Sequence, residues 1–350
     1  MDRANDAVDT GDAGLAAVAS IRAAVEPDAG RLGGEPRGFA WWPHAHAMRV
    51  HAEPARPDGA ARVAAETALL GGVSGRGHEF AAFARWNARE AALSSLRWDG
   101  ERGEVSLRAS VIARRGDGGA AARLLAHAAL LQAGEALRAA DALSIELPDT
   151  SLLTPSPPHA GAHSPAAHVE AATAYASQAP AHARALESAM EALTGLAPAP
   201  WGRSTRAAHG LDAEFTAEPS SGEAGRHATR WLVRASVRQP HPRLGAGLLL
   251  ALVPPPGLEP VAERAAATAS LLNEGEAREW TGLDALGGWC VHPSMGLSHV
   301  SFVPAAAIED GTAERLAWQA GTRARWAAAF LSHVEASRAQ RGPAGNALSD

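Results

Sequence analysis

The segment LPDTSLLTPSPPHAGAHSPAAH, Leu147 to His168, interrupts an otherwise strongly patterned chain. It is rich in Pro, Ser, Gly and His and keeps neither a helical nor a strand period, which marks a linker. At 350 residues the chain is long enough for two ordinary domains or one large one, and this break lies near its middle. The expected layout is a flexible tail over 1–13, a first module over 14–146, a linker over 147–180, a second module over 181–335 and a tail over 336–350.

The two flanking halves run through one order of elements. GLAAVASIRAAV (Gly14–Val25) opens the first half and HARALESAMEALTGL (His182–Leu196) the second, where Leu186, Met190 and Leu193 share a helical face. Strand-like segments follow, separated by Gly/Pro turns: GFAWWPH, AMRVHAE and ARVAAETALL in the first half, LDAEFTAE, TRWLVRASV and LGAGLLLALV in the second. The helical segment EFAAFARWNAREAAL (Glu79–Leu93) then corresponds to VAERAAATASLLNEGEA (Val261–Ala277), with Asn87 and Asn273 in similar places. A candidate hairpin, LRWDGERGEVSLRASVIA (Leu96–Ala113), matches GGWCVHPSMGLSHVSFVP (Gly287–Pro304), with Trp98 set against Trp289 and the turn Asp99–Gly103 against His292–Gly296 if the register slips after the Trp. Val105, Leu107, Ala109 and Val111 alternate with mostly polar residues, the period of a half-buried strand. Each half closes on a long helix, Gly119–Asp141 and Asp310–His333. The expected fold class is α+β: two tandem modules of helix, antiparallel sheet, helix, hairpin and helix, whose helices bury their apolar faces against a sheet.

In this order of elements the chain resembles the YbjN-like, type III secretion chaperone-like family. FARWNAREAAL, LRWDGERGEVSLRASVIA and LLAHAALL carry the resemblance in the first half; ASLLN, GGWCVHPSMGLSHVSFVP and LAWQAGTRARWAAAF carry it in the second. The resemblance implies a non-enzymatic, chaperone-like or regulatory protein that binds an extended segment of a partner protein. It also implies that two copies on one chain build a dimer-like arrangement within a monomer, the alternative being a homodimer.

Composition excludes several other classes. The basic residues are all arginine, so neither a P-loop lysine nor a Schiff-base lysine is available. A net charge of −6 opposes a dedicated nucleic-acid binder, which needs a phosphate-neutralising basic face. A single cysteine, Cys290, forms no internal disulfide. Residues 1–25 lack a basic-then-apolar signal pattern, and LGAGLLLALV falls short of the roughly 20 residues of a membrane span. A cytoplasmic protein without a membrane partner is the expectation.

The reactive groups concentrate in WCVHPSMGLSHVSF (Trp289–Phe302). Cys290, His292 and His299 are candidates for a thiol or small-molecule hydrolase, with Ser294 in a loose echo of a nucleophile elbow. The competing reading is a second copy of the hairpin, with Cys290 a small apolar core residue and no catalytic residue at all. His44 and His46 alternate on a strand-like segment and His51 lies further along, but no Cys or carboxylate stands at a zinc-ligand spacing, so no metal and no cofactor is expected. GGVSGRG and ARRGDGGAA fail the dinucleotide-binding pattern and read as connections. Trp is frequent, ten residues against one Tyr. Trp41, Trp42, Trp98, Trp289 and Trp326 are the candidate partner-binding residues, indoles being enriched at binding hot spots.

Overall fold

The computed structural model describes residues 12–25, 31–117, 119–156, 183–195, 203–207, 210–217, 229–256, 258, 262–279 and 281–341. Residues 157–182, with the linker histidines His159, His163 and His168, lie outside the described residues, as do 1–11 and 342–350.

In the first half, α1 (Ala13–Val25) precedes β1 (Leu32–Glu35), β2 (Gly38–Trp41), β3 (Met48–Ala52) and β4 (Ala61–Gly71). Then come α2 (Gly77–Glu90), β5 (Ser95–Asp99), β6 (Glu104–Ala113) and α3 (Ala120–Glu146). The strands form an antiparallel sheet in the order β1-β2-β3-β4-β6-β5. In the second half, α4 (Ala183–Gly195) precedes β8 (Arg203–Ala207), β9 (Gly210–Ala217), β10 (Thr229–Ser236) and β11 (Gly247–Val253). They are followed by α5 (Ala262–Arg278), β12 (Gly288–His292), β13 (Gly296–Pro304) and α6 (Thr312–Arg341). Read from the far edge, this sheet is β8-β9-β10-β11-β13-β12, the same sequence of neighbours as the first. The protein is therefore mixed α+β, with six α-helices and two antiparallel sheets among the described residues.

Each sheet buries one face under the first and last helices of its own half. On β4 and β6 that face carries Val63, Ala65, Leu107, Ala109 and Val111, all buried. α3 is anchored there by Gln132, whose amide donates to Ala65 O (3.4 Å) and accepts from Thr67 Oγ1 (3.1 Å). In the second sheet Leu248, Leu250 and Leu252 share the corresponding face with His299, Ser301 and Val303, because partners in an antiparallel ladder point the same way. Trp41 and Trp231 lie in this core, which runs continuously through both halves.

The helices α2 and α5 pack on each other between the halves, and each reaches the other half's hairpin: α2 touches β12 and α5 touches β5. The start of α2 is set by Glu79, whose carboxylate accepts from the N–H groups of Arg76 (2.5 Å) and Ser74 (3.2 Å). Its Phe80 and Phe83 pack with Trp98 and Leu70 in the first half, while its last turn carries Asn87 and Ala88 to the second. With both sheet faces covered, LGAGLLLALV shows an apolar run rather than alternation.

The segment expected to begin the linker is part of the first half. β7 (Ser151–Leu152) pairs with β4, and Leu153 N–H donates to Leu69 O at 2.8 Å. Trp42 Nε1 donates to Pro155 O at 2.8 Å, so the chain stays tied to the sheet almost to the end of this segment.

Candidate functional site

The seam between the halves fixes what any site there can do. β5 and β12 are edge strands, whose unpaired backbone groups would otherwise template pairing with another chain. An asparagine closes each edge. Asn87 Oδ1 accepts from Leu96 N (2.8 Å) and its Nδ2 donates to Leu96 O (3.1 Å). Asn273 Oδ1 accepts from Trp289 N (2.8 Å) and its Nδ2 donates to Trp289 O (2.9 Å). The counterpart of Trp289 is thus Leu96, and Trp98 answers to Val291, two residues away from the expected match. Matched this way, ALSSL (Ala92–Leu96) corresponds to ALGGW (Ala285–Trp289). The equivalent residues Ser95 and Gly288 meet: a methyl added at Gly288 would stand 2.4 Å from Ser95 Cβ. Reciprocal backbone bonds flank this point, Ser110 N to Ala285 O (3.1 Å) and Phe302 N to Ala92 O (3.3 Å).

A buried polar network holds the seam on the first sheet's outer face. Arg62 donates to Ala277 O at 2.7 Å and to Glu279 O. Arg97 donates to Asn273 O and lies 4.0 Å from Glu276, and burial pushes its guanidinium down to about 10. Glu276 also accepts from Trp289 Nε1 (2.9 Å) and Arg323 Nε (2.7 Å). Asp284 accepts from Ile112 N (2.8 Å) and pairs with Arg315 (2.5 Å), which donates in turn to Ile112 O (3.1 Å). Charges this deep are costly unless paired, and the pairing is incomplete at Arg97, whose Nε and Nη2 have no hydrogen-bond partner among the described residues.

A cleft of about 300 Å³ opens where the last turn of α2 meets the β10–β11 connection and the β12–β13 turn. Its floor is apolar, from Leu249, Val300 and Phe302, with Met295 and Pro240 at the sides. His241 forms one wall: its Nε2 meets Glu90 O at 3.3 Å, and its Nδ1 accepts from Arg243 N and Leu244 N at 3.3 Å each. These contacts place its proton on Nε2, and burial lowers its pKa. The Arg243–Glu90 ion pair ties the same connection to α2, and Arg243 sits 6.0 Å from the Trp86 ring centroid. Behind the pair, Glu135 of α3 is buried with no hydrogen-bond partner for Oε1 among the described residues, and desolvation pushes its carboxyl up to about 8.

The candidate hydrolase residues are not brought together. Cys290 is paired with Ser298 on the face that α2 covers, whereas His299 is paired with Trp289 on the opposite face of the same hairpin. Cys290 is fully buried, its Sγ 3.8 Å from Ser298 Oγ, and desolvation pushes the thiol up to about 12. A nucleophilic cysteine needs the reverse shift. His299 is buried beneath Trp289, held well below its usual range by burial and by Arg323 and Arg97. His292 lines the cleft, and Ser294 Oγ lies 3.1 Å from its Nδ1; Ser294 N–H bonds the same nitrogen at 3.3 Å, as in a tight turn.

The tryptophans also separate. Trp41 and Trp289 are wholly buried core residues and offer no surface to a partner, which corrects their assignment to one. Trp98 is half-buried against Phe80, and Trp326 donates to Glu279 Oε2 at 2.9 Å and stacks on Phe330. Trp42 is half-buried and bonded to the Pro155 carbonyl. Trp318, outside the expected set, is the most exposed of the described tryptophans. His44 and His46 are buried in bends after β2 rather than on a strand, and a ring nitrogen of His46 meets Leu153 O at 2.8 Å. Among the described residues no three His, Cys, Asp or Glu side chains form a metal-ligand group.

The cleft residues Arg89, Glu90, His241 and Met295 escaped the sequence reading. The available signals were SVRQPHPRLG, with its prolines flanking a histidine, and the ALSSL/ALGGW match. The class the coordinates define is a mixed α+β protein, with no helix among the described residues long and apolar enough to cross a membrane. No protein-family model, curated protein or solved structure matches the chain.

Proposed function

We propose that the chain is a non-enzymatic, cytoplasmic protein-binding protein, chaperone-like or regulatory, which engages a segment of a partner protein in the cleft between its halves. The halves are read as tandem, diverged copies of one module, and the YbjN-like, secretion chaperone-like resemblance belongs to this proposal. The shared strand order and the matching Asn87 and Asn273 bonds support the duplication. In this reading the dimer-like arrangement is internal and the protein is a monomer.

The observation that carries the binding role is the cleft itself: an apolar floor under a polar rim, assembled from both halves. Binding sites combine these features, the floor supplying affinity and the rim orientation. The hydrolase alternative has one observation in its favour, the exposed His292–Ser294 contact, and against it stands the separation of Cys290 and His299 onto opposite faces of the hairpin.

The test is purification from the native host of wild type and of Met295→Arg, which places a long charged side chain at the cleft. A stoichiometric protein retained by wild type and lost from the variant is the expected result. Recovery of no stoichiometric protein, or equal recovery with both, contradicts the proposal.

A further inference from the structure

We propose that the segment taken by the cleft is an extended peptide with a large apolar side chain next to an acidic residue, the first seated on Leu249, Val300 and Phe302 and the second paired with Arg89. This deepens the binding role proposed above and rests on it.

Size sets the first half of the inference. About 300 Å³ is at the bottom of the roughly 300–1,000 Å³ range of small-molecule pockets. It suits one or two side chains reaching in from a backbone that stays outside. Every floor side chain is apolar, so the entering group gains by burial, about 25 cal/mol per Å² of apolar surface.

The charges around the rim set the second half. Glu90 is taken by Arg243, which leaves little net charge at that wall. His241 has both ring nitrogens engaged by backbone, and burial holds both it and His292 toward the neutral form. Arg89 is exposed and has no ion-pair partner among the described residues, so the one uncompensated charge at the rim is positive. The C-terminal end of α2 carries a partial negative charge, which disfavours an anion lying directly over it. The acidic group therefore belongs outside the cleft, at the reach of the Arg89 guanidinium. That geometry needs a chain running across the rim, with anchor and acid on neighbouring residues.

The test uses the full chain and fluorescein-labelled octapeptides with one central Phe or Leu, flanked by Asp, Ser or Lys in an otherwise Ser/Gly sequence. Fluorescence anisotropy is expected to rank Asp above Ser above Lys, with about three- to fivefold steps, the worth of an exposed ion pair. Arg89→Glu should reverse the order, and Met295→Arg should abolish binding of every peptide. Arg89 is exposed and Met295 is half-buried beside Cys290 and Val300, so thermal melts verify that the variants stay folded. An unchanged ranking in Arg89→Glu overturns this inference while leaving the cleft role standing, provided Met295→Arg still abolishes binding. Absence of binding by all peptides, or binding indifferent to Met295→Arg, overturns both.

Discussion

The faces that the two sheets turn toward the seam differ sharply at equivalent positions. On the first sheet these positions hold Arg62, Glu66, Arg97 and Arg108; on the second they hold Gly247, Ala251, Cys290 and Val300. The backbone plan is the same, yet one face is charged and the other apolar. Each matches what covers it. The charged face meets backbone carbonyls from the end of α5, which guanidinium groups satisfy. The apolar face meets Ala88 of α2 and needs only close packing. The lesson is that the faces are fitted to each other and are not interchangeable, so each half presents a seam surface suited to the other half and unsuited to itself.

Exchanging residues across that comparison should give the largest effect. Val300→Arg buries a charge without a partner beneath α2 and should cost more than about 4 kcal/mol in denaturant titrations. Arg108→Val, the reverse exchange, should cost about 1 kcal/mol or less, because Glu66 keeps its bond to Ser106 at 2.8 Å. Equal costs would break the comparison.

The asparagines test what the halves have in common. Asn87→Ala leaves the Leu96 N–H and carbonyl without a side-chain partner, and Asn273→Ala leaves the Trp289 N–H without one while the Trp289 carbonyl keeps Asn87 Nδ2 at 3.4 Å, at about 3 kcal/mol apiece. Costs differing by more than about 2 kcal/mol would deny the equivalence. Gly288→Ala should cost about 2 kcal/mol by steric conflict with Ser95, and adding Ser95→Gly should recover most of it. Additive costs would place the two residues apart.

A smaller effect belongs to Glu135, faced by Arg243, which favours its charged form, and by Glu90, which opposes it. Its folded pKa is raised, so its contribution to stability is fully present below the unfolded value near 4.5 and is lost as pH rises through about 8. Glu135→Gln should therefore exceed wild type by on the order of 2 kcal/mol at pH 9, with the gap closing toward pH 4.5. A gap independent of pH would show that Glu135 does not titrate as its burial requires.

Much of the fold was legible because it rests on local pattern. The alternation of Val105, Leu107 and Val111 marks the face that α3 covers, but Ser106, Ser110 and Ile112 on the other face are buried too, so the strand is not half-buried as expected. The Trp98–Trp289 match was off by two residues because the two indoles attract attention by type, whereas setting the turn residue Asp99 against His292 fits the observed register. Asn87 and Asn273, which set the true register, act through hydrogen bonds to strands at different sequence distances, nine residues on in one case and sixteen in the other. The linker boundary was misplaced for a similar reason: TSLLTP carries no period, and the partners that order it, Leu69, Gly71 and Trp42, are remote in sequence. The cleft was illegible because three distant segments build it, and none has a chemical signature alone.

The central claim is that the first half's helix α2 covers the second half's apolar face around Cys290 and keeps its thiol from reacting. Cys290 reports on it directly. Incubated with iodoacetamide at neutral pH and followed by intact-mass spectrometry, the folded protein should remain unmodified, and denaturant should release one alkylation per chain. Rapid stoichiometric alkylation of the folded protein would contradict it.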